Sequence, residues 1–112
     1  VLKTSGLADV LRDALAPLET QISAAFVYGS VAKRQDTAKS DIDLMVVSDN
    51  LSYPDIFAVL EEATKQLGRT VNPTVYSRQG LDKRVREDNA FIKRVLAQPK
   101  LWVIGKEHGL TA

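Results

Sequence analysis

Cysteine is absent from the chain, and histidine occurs once, as His108. The first absence excludes disulfide scaffolds, thiolate zinc sites and cysteine nucleophiles, and it fits a reducing compartment, so the expected location is the cytoplasm. The second excludes a two-histidine metal motif within one chain. No apolar run approaches the roughly 18 residues of a membrane span, and no secretory leader is expected. Aromatic residues make up only 6%, which gives little support to stacking on single-stranded nucleic acid. What is present is an ordinary globular balance, 45% hydrophobic and 26% charged in 112 residues. That length makes a single domain over 1–112, large enough to bury a core without staples. The start at Val1 rather than Met reads as a processed or excised piece of a longer protein.

Net charge is +1, but it is unevenly spread. Residues 1–63 carry 5 basic and 10 acidic side chains, residues 64–112 carry 10 and 4. Such asymmetry fits either a charged ligand or partner, or two solvated faces that offset each other.

Hydrophobic periodicity orders the chain. Leu7, Val10, Leu11, Ala14 and Leu15 form a helical stripe, with Ser5 as its expected cap, and Pro17 kinks or ends the helix. Ala24–Tyr28 is a short apolar run stopped by Gly29, hence a buried strand. Residues 30–40 are small and polar, enough for a helical turn and a loop. Residues 41–47 form a second strand, ended by Ser48-Asp49-Asn50. Ser52 caps a helix that Pro54 opens and Gly68 stops. Thr70–Tyr76 is a third strand, and Pro73 places it at an edge or a bulge. Residues 81–97 are helical in two pieces broken near Asp88-Asn89, with Phe91, Ile92, Val95 and Leu96 as the apolar stripe of the second. Leu101–Ile104 is a last strand in which Trp102 is a core residue. The expected fold is α/β (α+β), a small mixed sheet flanked by helices.

One constellation carries chemistry. Gly29-Ser30 directly follows a strand, and ten residues later Asp41-Ile42-Asp43 opens the next. Alternation on a strand puts Asp41 and Asp43 on one face, about 6.5 Å apart. Two carboxylates that close repel unless a cation lies between them. A hard divalent ion, Mg²⁺ or Mn²⁺, suits such oxygen ligands and leaves positions for phosphate. Gly29, without a Cβ, lets the backbone approach a phosphate, and Ser30 adds a hydroxyl and an N–H at the turn. Lys33 and Arg34 follow, either to neutralise a triphosphate or as solvated charges. Phosphoryl or nucleotidyl transfer is the chemistry this pattern fits.

Gly-Ser, ten residues, then Asp-x-Asp resembles the signature of the polymerase-beta-like nucleotidyltransferase superfamily. The words VYGSVAK and SDIDLMVV resemble its minimal single-domain members. The stretches VNPTVYS, NAFIKRVLAQPK and LWVIG are similar to a branch often joined to a winged helix-turn-helix DNA-binding domain. The resemblance covers roughly residues 7–105. It implies that Gly29 and Ser30 hold the triphosphate of a nucleotide, ATP first among them. It implies that Asp41 and Asp43 bind two Mg²⁺ ions. The family reaction moves a nucleoside monophosphate to a hydroxyl on nucleic acid, a small molecule or a protein, releasing pyrophosphate. Small members often pair with a helical toxin-like protein and act as its antitoxin.

The resemblance also exposes a departure. Active members usually carry a third acid on a neighbouring strand, and that slot falls on Asn72 here. An amide oxygen can ligate a metal but brings no charge and is no base. Two functions therefore stay open. One is a nucleotidyltransferase acting on a protein or small molecule. The other is a nucleotide sensor of weak or no activity, linked to a DNA-binding regulator. Arg78, Lys83, Arg84, Arg86, Lys93 and Arg94 form a basic cluster, read either as a solvated face or as a contact for nucleic acid, triphosphate or an acidic partner. A homodimer across a sheet edge is also left open, and His108 falls in a polar, exposed tail.

Overall fold

The computed structural model describes residues 3–29 and 41–105, with side chains from residue 7 onward. Ser30, Lys33 and Arg34, and the turn expected over 30–40, lie outside the described residues.

Helix α1 spans Lys3–Leu15 and runs into a 3-10 segment, Ala16–Gln21. Pro17 sits in the first turn of that segment, where its missing N–H costs nothing, while in an α-helix it would break the ladder. The expectation of Ser5 as the cap of α1 is corrected. The helix begins two residues earlier, at Lys3, so the backbone at Ser5 is already helical, and a cap residue's is not.

Strand β1 (Ala24–Tyr28) leads to β2 (Ile42–Val47), helix α2 (Tyr53–Leu67) and strand β3 (Val71–Tyr76). Helices α3 (Arg78–Arg86) and α4 (Ala90–Ala97) and strand β4 (Leu101–Ile104) complete the order, which is the one the hydrophobic pattern predicts. Ser52 caps α2 in a capping box with Asp55, Pro54 lies in the first turn, and Gly68 ends the helix in the left-handed conformation. Between α3 and α4, Asp88 takes a φ of 59° and Asn89 caps α4 by accepting the Ile92 N–H at 3.1 Å.

The sheet order is β3-β2-β1-β4, antiparallel except for the parallel pair β2–β3. It is therefore the expected small mixed sheet. β3 is an edge, as Pro73 demands. The carbonyls of Thr70 and Tyr76 accept from the N–H groups of Ile42 and Ser48, so the even-numbered residues of β3 bond inward. Pro73 is odd-numbered, and its missing donor falls on the open side.

Each face of the sheet supports its own core. Ala25, Val27, Ile42, Leu44, Val46 and Val71 pack under α1 and α2. Ala24, Phe26, Tyr28, Met45 and Val47 pack under α3 and α4, with Leu81, Ile92 and Val95. Trp102 is half-buried against this second core, its ring 5.0 Å from that of Phe26. The stripe of α4 is narrower than expected. Ile92 and Val95 are buried and Leu96 packs beside them, but Phe91 lies at the rim and is 37% exposed.

Candidate active site

Topology gathers the candidate residues at one end of the sheet. β1 runs antiparallel to β2, so the end of β1 at Tyr28-Gly29 meets the start of β2 at Asp41–Asp43. β3 runs parallel to β2, so its start at Asn72 reaches the same end. In the register, Asp43 lies opposite Tyr28 on one side and opposite Asn72 on the other. Side chains alternate along each strand, so Tyr28, Asp43 and Asn72 share the face covered by α3 and α4, and Ile42 and Leu44 turn to the other core.

Gly29 has a φ of 85°, a backbone conformation that favours glycine. A Cβ placed there would come within 3.0 Å of Asp43 Oδ2. Glycine is therefore favoured by the turn that ends β1, and a Cβ there would crowd the Asp43 carboxylate.

Asp41 is exposed just before β2, and Asp43 is half-buried within it. Burial pushes the Asp43 carboxyl above its ordinary value, and the charge of Asp41 pushes it further the same way. The Asn72 side-chain amide donates from Nδ2 to Asp41 Oδ2 at 3.2 Å. Asn72 thus sets a neutral hydrogen-bond donor beside one of the two carboxylates.

Beside this lies a polar pair that the motif does not include. Tyr28 is 8% exposed and shares a side-chain hydrogen bond with Thr74 of β3. Burial raises its phenol above the ordinary value; the Thr74 hydrogen bond opposes this, while the nearby Asp43 and Tyr76 add to it. The raised phenol holds its proton and is not poised as a base. An aromatic in an apolar strand reads as core, and only the β1–β2 register puts Tyr28 beside Asp43.

The donor set fits a hard divalent cation of the Mg²⁺ type. Among the described residues, no three histidine, cysteine or acidic side chains come together. A cation here would draw on Asp41, Asp43 and the Asn72 amide oxygen, leaving the rest of its coordination to phosphate and water. One or two carboxylates plus substrate phosphate is how Mg²⁺ is commonly held.

The nucleotidyltransferase family model described as polymerase beta matches residues 13–97, most of the chain. The chain belongs to that family. No curated protein matches it. Similar solved structures include a toxin–antitoxin complex with AMP-PNP, at a TM-score of 0.62 and 13% identity, covering 93% of this chain and 77% of the other. Another is the tri-AMPylated HEPN toxin of Shewanella oneidensis in complex with the MNT antitoxin, at 0.60 and 13%, covering 95% and 76%. A mutant of the MntA–HpeT toxin–antitoxin pair matches at 0.60 and 13%, covering 98% and 79%. At that identity the likeness is one of fold. In this nucleotidyltransferase domain, among the described residues, no helix is long and apolar enough to cross a membrane.

The basic cluster is mainly a solvated surface with internal pairs. Arg86 pairs with Asp82, and Lys93 with Asp88 at 3.4 Å, all exposed. The Arg84 guanidinium lies 4.7 Å from the Tyr76 ring centroid and donates to the Gly80 carbonyl.

Proposed function

We propose that this domain binds a nucleoside triphosphate together with Mg²⁺ or Mn²⁺ at Gly29, Asp41 and Asp43, and transfers its nucleotidyl group to a hydroxyl of a protein partner. The observation that carries this reading is the row Tyr28–Asp43–Asn72, with Asp41 beside it and the Cβ-free Gly29 against Asp43 Oδ2. The acceptor hydroxyl oxygen attacks the α-phosphorus, the α–β phosphoanhydride bond breaks, and pyrophosphate leaves. The cation, when bound, neutralises charge on the triphosphate and on the leaving group. Gly29 gives the phosphates close access to the backbone, and Asp41 and Asp43 hold the cation. The Asn72 amide fixes Asp41 through its hydrogen bond and cannot take the acceptor's proton. That proton must go to solvent or to the partner, so transfer by the isolated domain is expected to be slow. A protein acceptor is supported by the similar folds that occur in toxin–antitoxin complexes, one of them with AMP-PNP and one with an AMPylated toxin.

A second reading is favoured by the same Asn72. With a neutral amide in the acid slot, the domain would bind nucleotide and report it to an attached regulator, without turnover.

Titration of the domain with ATP, with and without Mg²⁺, tests the binding that both readings share. Binding is expected only with the metal and is lost in Asp43→Ala; retained binding in that variant would remove the site assignment. A pyrophosphate-release assay then separates the two readings. Slow release by the wild type supports transfer. Release by Asn72→Asp, with none from the wild type, supports the sensor.

A further inference from the structure

A nucleotide held by its phosphates at Asp43 and Gly29 still needs a place for its base. We infer that the exposed ring of Phe91, at the N-terminal turn of α4, is the stacking platform for the nucleobase of that nucleotide. The inference rests on the phosphate-anchor reading above and adds a base subsite to it.

Tyr28 lies directly opposite Asp43 in the antiparallel pair, which places their Cβ atoms about 5 Å apart on one face. The ring of Phe91 meets that of Tyr28 edge-on, with centroids 6.2 Å apart and planes inclined at 76°. An edge-on contact occupies at most one face of the Phe91 ring. Phe91 is 37% exposed, whereas Tyr28 is 8% exposed and closed off. The Phe91 ring thus presents exposed apolar surface one aromatic neighbour away from Asp43.

The other aromatic side chains are committed elsewhere. Tyr53 and Phe57 stack on each other, 5.7 Å apart, on α2, which covers the opposite face of the sheet. Tyr76 is covered by the Arg84 guanidinium. Phe26 is fully buried, and Trp102 packs on it. Phe91 is also held firmly, because Asn89 caps α4 and the next residue, Ile92, is buried in the core. A stacking ring must be exposed on an anchored backbone, and Phe91 meets both conditions. Stacking is tolerant of base identity, since every base has a π-face. The platform therefore favours a nucleotide over a bare polyphosphate without choosing among bases.

The experiment compares ATP with inorganic tripolyphosphate, each with Mg²⁺, by calorimetric titration of the wild type, Phe91→Ala, Phe91→Tyr and Asp43→Ala. In Phe91→Ala, ATP affinity is expected to fall roughly 5- to 150-fold, with tripolyphosphate affinity unchanged. Phe91→Tyr keeps the ring and is expected to keep ATP affinity. In the wild type, NOEs from the Phe91 ring to the adenine H2 and H8 protons are expected. Unchanged ATP affinity in a folded Phe91→Ala overturns the inference, as does parallel loss of both ligands, which makes the ring merely structural. The two levels fail differently. If Asp43→Ala abolishes both ligands and Phe91→Ala changes neither, the anchor stands and the platform falls. If the wild type binds neither ligand, the anchor reading falls and takes the platform with it.

Discussion

Asp43 is a residue whose ionised form the bare fold disfavours. Burial and then the charge of Asp41 raise its carboxyl, so the folded domain binds that proton more tightly than the unfolded chain does. By linkage, the contribution of Asp43 to stability is fully present below its unfolded pKa and is lost as pH rises through the raised folded value. At neutral pH the ionised side chain is therefore a cost that a bound cation would offset. Asp43→Asn is expected to melt higher than the wild type at pH 7 without metal. That advantage should fade as pH falls through the carboxylate range, and melting curves across a pH series check it. A variant that melts lower at pH 7 contradicts the assignment. The pair itself was legible in the sequence, because alternation alone puts Asp41 and Asp43 on one face. The resemblance alone points to Asn72 as an expected third slot; what the parallel register adds is that Asn72 lies opposite Asp43. Tyr28 and Phe91 were not legible as neighbours of the site. Their position depends on an antiparallel pairing and a helix packing that no short window of sequence encodes.

The α3–α4 connection decides where the exposed ring stands. Asp88 adopts a φ of 59°, a left-handed conformation that costs an ordinary L-residue about 1–2 kcal/mol and that aspartate tolerates better than most. Asn89 then accepts the Ile92 N–H and starts α4. Asn89→Ala is expected to cost about 0.5–2 kcal/mol through the lost cap, and to weaken ATP binding as the first turn of α4, which carries Phe91, frays. Urea denaturation and ATP titration of the same variant measure the two effects. Stability lost with ATP affinity intact would show that the position of Phe91 does not depend on the cap. The break at Asp88-Asn89 could be read from residue type, as could the cap at Ser52, since both use side chains that bond locally to the backbone. The start of α1 could not be read this way. Ser5 has the chemistry of a cap, but helical bonding begins at Lys3, and propensity places such boundaries only to within a residue or two.

At the scale of the molecule, among the described residues, one sheet separates two cores, and one of them borders the candidate site. The layer of α1 and α2 closes over Ile42, Leu44 and Val46, on the face opposite Asp43. The layer of α3 and α4 closes over Phe26, Met45 and Val47, on the same face as Tyr28 and Asp43. Equal damage on the two sides should therefore have unequal consequences. Leu44 and Ile92 are both fully buried. Truncation of either to alanine is expected to cost about 2–5 kcal/mol, which for a chain of this length lowers Tm by roughly 8–20 °C. In Leu44→Ala, measured well below its melting point, ATP affinity should stay near that of the wild type, because the cavity opens on the far face. In Ile92→Ala the cavity opens beneath α4, Phe91 loses the support of its neighbour in sequence, and ATP affinity should fall along with stability. Tripolyphosphate affinity should hold in both variants, since neither cavity touches Gly29 or Asp41. Calorimetric melting gives the stability of each variant, and titration at low temperature gives the affinity. Equal loss of ATP affinity in the two would mean that the sheet transmits the damage as a unit and that the two faces are not independent.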